Sequence, residues 1–191
     1  NDAFVAYGGT LWDPDADSRV TVDGVGLGSS TPSFWGVQGD LTIGNSLFGS
    51  VEVLNGADLY VGHDVFIKNG ELNVDGRLPS GDPSDLDVLG SVFVGGAGSE
   101  NVLALGNAAR GGIDGDLIIG KDGAGTVTLL GQAILAHPTQ LDIVDPQAGL
   151  CEIGREFAGD VRLDDGGLFR CRDIRLGRAG TAPCGVGLPG D

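Results

Sequence analysis

Asp13, Asp15 and Asp17 alternate along a short acidic run, Asp13-Pro14-Asp15-Ala16-Asp17-Ser18. Carboxylates at every second position of a turn offer hard oxygen ligands, and calcium is the cation that suits them. The helix-flanked calcium loop starts this way, but the match stops early. Ser18 stands where the turn glycine belongs, and Gly24 stands where a bidentate glutamate closes the shell, with Asp23 one place early. Calcium at Asp13, Asp15 and Asp17 is one reading; a solvated acidic cap is the other. Further aspartates gather as Asp82, Asp85 and Asp87, as Asp114 and Asp116, and as Asp164 and Asp165. Their plain role is in turns, where a short carboxylate bonds nearby backbone N–H groups. Asp40, Asp58 and Asp116 each precede a short apolar triplet, which predicts a turn cap at the same place on successive units.

No catalytic set is expected. Asp164 and Asp165, followed by Arg170 and Arg172, come nearest to the carboxylate and arginine clusters that cleave polysaccharides. An exposed ladder of charge explains them as simply. His63 and His137 are far apart in the chain with no third ligand in view, and lysine occurs only as Lys68 and Lys121. A strained G-x-S-x-G nucleophile turn is missing from the sequence. Thr42, Thr126 and Thr128 are too few for the flat threonine array that binds ice. The chain is therefore expected to be non-enzymatic and without a cofactor, calcium aside.

The elements that must position these residues are very short strands. Gly39-Asp40-Leu41-Thr42-Ile43-Gly44 returns as Ala57-Asp58-Leu59-Tyr60-Val61-Gly62, as Gly90-Ser91-Val92-Phe93-Val94-Gly95 and as Gly115-Asp116-Leu117-Ile118-Ile119-Gly120. Arg172-Asp173-Ile174-Arg175-Leu176-Gly177 is a worn copy. Each is an apolar–variable–apolar triplet closed by glycine. Alternation of this kind turns the first and third side chains to one face. One triplet cannot bury that face alone, whereas a stack of them can, so the repeat predicts an all-β solenoid of parallel strands. Leu41, Ile43, Val51, Val53, Val61, Val74, Val94, Leu117, Ile119, Val127 and Leu129 should point inward. A two-sheet sandwich is the structural rival.

The spacing predicts eight or nine coils in three segments. Residues 1–20 form an N-terminal cap or connector, and 21–130 carry the repeats. Residues 131–191 hold degenerate coils and a cysteine-containing C-terminal cap. A Pro-, Ser-, Gly- and Asp-rich break from Leu78 to Asp85 is an extruded loop or a hinge. Tyr60, Phe66, Phe93 and Ile118, at variable positions, either line one association face or lie under a loop.

Composition agrees. The 191 residues include 36 glycines without a three-residue period, and 41% hydrophobic content is too much for a flexible linker. A net charge of −16 repels nucleic acid and anionic membranes. No apolar stretch reaches the roughly 18–20 residues of a membrane-spanning helix.

Val20-Thr21-Val22-Asp23-Gly24-Val25-Gly26-Leu27-Gly28-Ser29, Phe34-Trp35 and Gly39-Asp40-Leu41-Thr42-Ile43-Gly44 together resemble a bacterial surface repeat. That repeat reads T-V-x-G-x-G-S-x-W, then G-D-L-x-[IV]-G. It is found in autotransporter passenger regions and in secreted proteins with C-terminal sorting tags. Gly49-Ser50-Val51-Glu52-Val53-Leu54-Asn55-Gly56 and Gly125-Thr126-Val127-Thr128-Leu129 resemble its last part. The resemblance covers about the first two-thirds of the chain. It implies a right-handed β-helix exported to the cell surface, and it says little about activity.

Three expectations complete the reading. First, the chain is a secreted structural protein of the cell surface or extracellular matrix; an adhesin or carbohydrate-binding module is the alternative, with polysaccharide as a partner, and a polysaccharide-active enzyme stands third. A chain that starts without methionine fits either a trimmed chain or a mature protein whose signal peptide has been removed. Second, a disulfide joins Cys151 to Cys171, about one coil apart, with Cys171–Cys184 the runner-up. Third, copies associate head to tail, with Asp13 and Asp15 at one end meeting Arg172 and Arg175 at the other.

Overall fold

The structure, a computed structural model, describes residues 1–6, 18–24, 31–78, 81–98, 100–131, 138–143, 149–164, 166–177 and 184–187, the last as backbone only. All the described elements are strands, and they stack as three parallel sheets around one core. Sheet A contains β1 (Ala3–Val5), β4 (Leu41–Ile43), β7 (Val65–Ile67), β10 (Val92–Val94), β13 (Leu117–Ile119), β16 (Leu150–Ile153) and β19 (Asp173–Leu176). Sheet B contains β2 (Ser18–Asp23), β5 (Gly49–Leu54), β8 (Gly70–Asp75), β11 (Asn101–Gly106), β14 (Gly125–Leu130), β17 (Gly159–Asp164) and β20 (Cys184–Gly187). Sheet C contains β3 (Phe34–Val37), β6 (Asp58–Val61), β9 (Asp85–Val88), β12 (Arg110–Ile113), β15 (Gln140–Ile143) and β18 (Leu168–Arg170).

Each strand pairs with the strand three places on, which is the signature of a β-solenoid and excludes the sandwich. With at most seven strands to a sheet, the described residues form fewer coils than the eight or nine expected. The reason is that each turn consumes three strands. At roughly 4.8 Å per rung the stack is about 30 Å tall.

Like packs on like in the core. Val51, Leu72, Leu103, Val127 and Val161 form one continuous column through sheet B. All eleven residues expected to point inward are fully buried. Burying each such side chain stabilises the fold by about 1.5–3 kcal/mol before chain entropy is counted.

The closing glycine of the repeated phrase turns the corner from sheet A to sheet B. Gly44, Gly95, Gly120, Gly154 and Gly177 all have positive φ there. At Gly44, with φ +66°, an added Cβ would lie 1.8 Å from the Asn69 carbonyl oxygen, so that corner accepts no side chain. Of the five similar phrases, four lie in sheet A, whereas Leu59-Tyr60-Val61 belongs to sheet C. The rung of sheet A between Leu41-Thr42-Ile43 and Val92-Phe93-Val94 is Val65-Phe66-Ile67, whose phrase ends in Lys68.

At the corner entering sheet C, a buried hydroxyl on two coils replaces a turn. Ser84 Oγ accepts from the Gly56 N–H and donates to the Asp75 carbonyl. Thr139 Oγ1 does the same for Ala108 and Leu130. The break before β9 is an extruded loop, not a hinge. It is closed by an antiparallel bridge between Arg77 and Pro83 and by Leu78, which is buried.

Within residues 1–20, β1 takes a regular place in sheet A and β2 begins sheet B. Residues 131–191 supply β15 to β20 and keep the register of the coils before them. Cys151 and Cys171 form the expected disulfide, with Cα atoms 6.4 Å apart. They are not equivalent positions on adjacent coils, however. The register partner of Cys151 is Ile174, and Cys171 sits at the corner before β19.

The four variable-position residues do not share one face. Tyr60 is on sheet C, apart from the other three on sheet A. Phe66 and Phe93 stack with ring centroids 4.9 Å apart, capped by the Lys68 and Lys121 ammonium groups, and Ile118 is buried.

Candidate functional site: a cleft on sheet C

Outward side chains of sheet C form two rows along the solenoid. One row runs Phe34, Asp58, Asp85, Arg110, Gln140 and Leu168. The other runs Gly36, Tyr60, Asp87, Gly112, Asp142 and Arg170. Alternation along each strand sends the intervening residues inward, so Leu59, Leu86 and Leu141 anchor the rows to the core. On β12 the sequence Arg110-Gly111-Gly112 interrupts the wall, because Gly112 leaves a gap in the second row. The result is a cleft of about 300 Å³ lined by Asp85, Asp87, Arg110, Gly111, Gly112, Gln140 and Asp142, with Leu86 at its base.

Crowding of carboxylates governs its electrostatics. Partial burial, then the charges of Asp58 and Asp87, push Asp85 up from 3.8 to about 6, while Arg110 on the next coil pulls the other way. Asp58 is raised by burial and then by Asp87 and Asp82, so the extruded loop adds its own charge to this end of the cleft. Asp87 is raised by burial and then by Asp114. At the far wall Asp142 Oδ2 accepts from Gln140 Nε2 and lies 3.6 Å from Arg170 Nη1. Asp142 Oδ1 is buried without a hydrogen-bond partner. Such a surface can accept and donate many hydrogen bonds along a line. It does not converge on a point: among the described residues no three His, Cys, Asp or Glu side chains are grouped to hold a metal ion.

Aspartates elsewhere do what turns ask of them. At the corner entering sheet A, each coil's side chain accepts the backbone N–H of the next coil. The Asp40 N–H donates to Asp2, the Asp64 N–H to Asp40 and the Ser91 N–H to Asp64. The Asp116 N–H donates to Ser91 Oγ, and the Leu150 N–H to Asp116. Asp40 and Asp116 thus take the expected capping place. Asp58 does not, because it stands on sheet C in the acidic row.

Asp13, Asp15 and Asp17 lie outside the described residues, as do His137, Asp165 and Arg178. The described arginines near the C-terminal end are matched within the chain. Arg155 and Arg175 both approach the buried Glu152, at 3.4 and 3.8 Å. Arg162 meets Asp160, and Arg172 meets Asp173. Of the carboxylate and arginine cluster suggested by the sequence, Arg170 turns to Asp142, and Asp165 lies outside the described residues. Sequence reasoning missed Arg110, Gln140 and Asp142 as neighbours of Asp85. Only the inter-coil register could have revealed them. No family model, curated protein or solved structure matches this chain.

Proposed function

We propose that this chain is a non-enzymatic, secreted structural protein of the cell surface or extracellular matrix that associates with its own copies through the ends of its solenoid. One observation carries the reading. On β19, Ile174 and Leu176 continue the inward columns of Cys151 and Ile153, yet they are 52% and 54% exposed where their partners are 0% and 1%. Among the described residues the apolar columns are uncovered at β19. At the opposite end the inward positions Val5, Val22 and Val37 are covered and Ala3, Val20 and Trp35 only partly so, and Phe4 and Phe34 are displayed on the outer faces. Each sheet also has an edge strand at both ends among the described residues, with backbone groups spaced to accept another rung. A second copy stacked head to tail supplies that rung, and a heterologous contact of this kind propagates. The disulfide and the resemblance to bacterial surface repeats support an extracellular setting.

Sedimentation velocity across a range of concentrations, with negative-stain microscopy, tests this. The expected outcome is growth with concentration into rods longer than one solenoid. Ile174→Asp combined with Leu176→Asp should abolish growth while the β-sheet circular dichroism persists. A species that stops at two copies would replace the filament with a tail-to-tail pair. A monomer at every concentration and salt level would remove the proposal.

A further inference from the structure

We infer that the cleft on sheet C is a groove for a neutral, extended polysaccharide lying along the solenoid axis. Its position is independent of the ends used for self-association, because β9, β12 and β15 are interior strands of sheet C. Shape comes first. The two outward rows advance one rung per coil, roughly 4.8 Å, close to the length of one sugar ring in an extended glycan. Gly112 opens the second row between Asp87 and Asp142, so a chain can settle against backbone there.

Chemistry selects the occupant. Asp85 and Asp87 offer paired acceptors, Arg110 offers a planar fork of donors, and the Gln140 carboxamide offers its oxygen beside the N–H it gives to Asp142. Paired groups of this type match the vicinal hydroxyls of a sugar. Charge narrows the choice. An anionic polymer would meet Asp58, Asp85, Asp87 and Asp114 on a chain of net charge −16. A basic polymer is the rival occupant, opposed only by Arg110 within the cleft and Arg170 at its margin. A ligand with hydroxyls and no charge satisfies both signs.

Two details extend the argument. Asp142 Oδ2 is engaged by Gln140 and Arg170, whereas buried Oδ1 lacks a donor. The contacts to Oδ2 hold the Asp142 carboxylate in one orientation at the far wall of the groove. Tyr60, the register partner of Asp87 on the preceding coil, is half-buried and stands one rung beyond the residues that line the cleft. Its ring pairs an apolar face with a polar tip, as the two sides of a sugar require.

Affinity electrophoresis in native gels tests the proposal, with the monomeric Ile174→Asp, Leu176→Asp chain as a second sample so that polymer formation cannot mask binding. The probes are laminarin, hydroxyethyl cellulose, xyloglucan and galactomannan, with polygalacturonate and polylysine as charged controls. At least one neutral glycan should retard both samples. Arg110→Ala should weaken the retardation on the order of tenfold. Gly112→Leu should fill the gap and do the same; a Cβ there meets only Asp87 Oδ1, at 3.4 Å, so the strand tolerates it. Three results would overturn the proposal: no neutral glycan retards the chain, both variants bind as the parent does, or polylysine is the polymer bound.

Discussion

At the corner entering sheet A, aspartates of successive coils are stacked one rung apart, as they are on sheet C, but the two rows have different neighbours. In the corner row each carboxylate faces a backbone N–H of the next coil, as when Asp64 accepts from Ser91 at 2.7 Å. In the sheet C row Asp58 and Asp85 are register partners, so carboxylate faces carboxylate. The same residue type at the same spacing thus serves as a clamp in one place and a source of repulsion in the other. What differs is whether the peptide N–H is already taken. In a strand the N–H groups that point along the axis are bonded by the carbonyls of the next rung, whereas the corner leaves one such N–H without a backbone acceptor. Repulsion retained on sheet C is the kind of local conflict that marks binding surfaces.

Asp64→Ala should break the clamp and give the largest effect. It leaves the Ser91 N–H without its acceptor and should lower stability by about 1–2 kcal/mol in urea unfolding. Equal stability of variant and parent would show that water replaces the carboxylate and that the corner row is not structural.

Asp85→Asn should act in the opposite direction. The folded chain holds the Asp85 proton up to about pH 6, and the unfolded chain releases it near 3.8. Folding therefore favours protonation, and the residue's contribution to stability is lost as pH rises through that window. The variant should be more stable than the parent at pH 7, by on the order of 1 kcal/mol once solvent screening of this half-exposed group is allowed for. The advantage should vanish below pH 4. Thermal unfolding of both proteins at pH 3.5, 5 and 7 reads the sign directly, and a destabilised variant at pH 7 would contradict the repulsive account.

The smallest expected effect sharpens the comparison. Asp58→Asn and Asp85→Asn each relieve the other's repulsion, so the double variant should gain less than the two single gains together. A double-mutant cycle should give a coupling of about 0.5 kcal/mol. Strict additivity would mean that Asp58 and Asp85 do not repel each other, and that burial and the other carboxylates nearby raise them.

Much of the fold was legible in the chain because it is written in local terms. Apolar–variable–apolar triplets closed by glycine name their own strands, inward faces and corners, and this holds from Leu41 to Leu129. The Cys151–Cys171 pair was legible from separation alone, although its partners meet across a corner and not on equivalent rungs. The candidate site was less so. Asp85 and Asp87 stood out as an acidic pair, but the sequence offers a turn as their natural home.

What the sequence determined by itself was the class of structure: stacked short strands, a shared aliphatic core and glycine at the corners. Each of those follows from the side-chain period and the backbone freedom of a few neighbouring residues. What only the tertiary structure decided was phase. The triplet Leu59-Tyr60-Val61 reads like Leu41-Thr42-Ile43 yet lies in a different sheet. The loop before β9 and the long connection before β15 set which residues become rung neighbours. Asp58, Asp85, Arg110 and Gln140 meet in one row through that register. Connection lengths carry no hydrophobic signal of their own, so coil-to-coil register is a property of the closed stack.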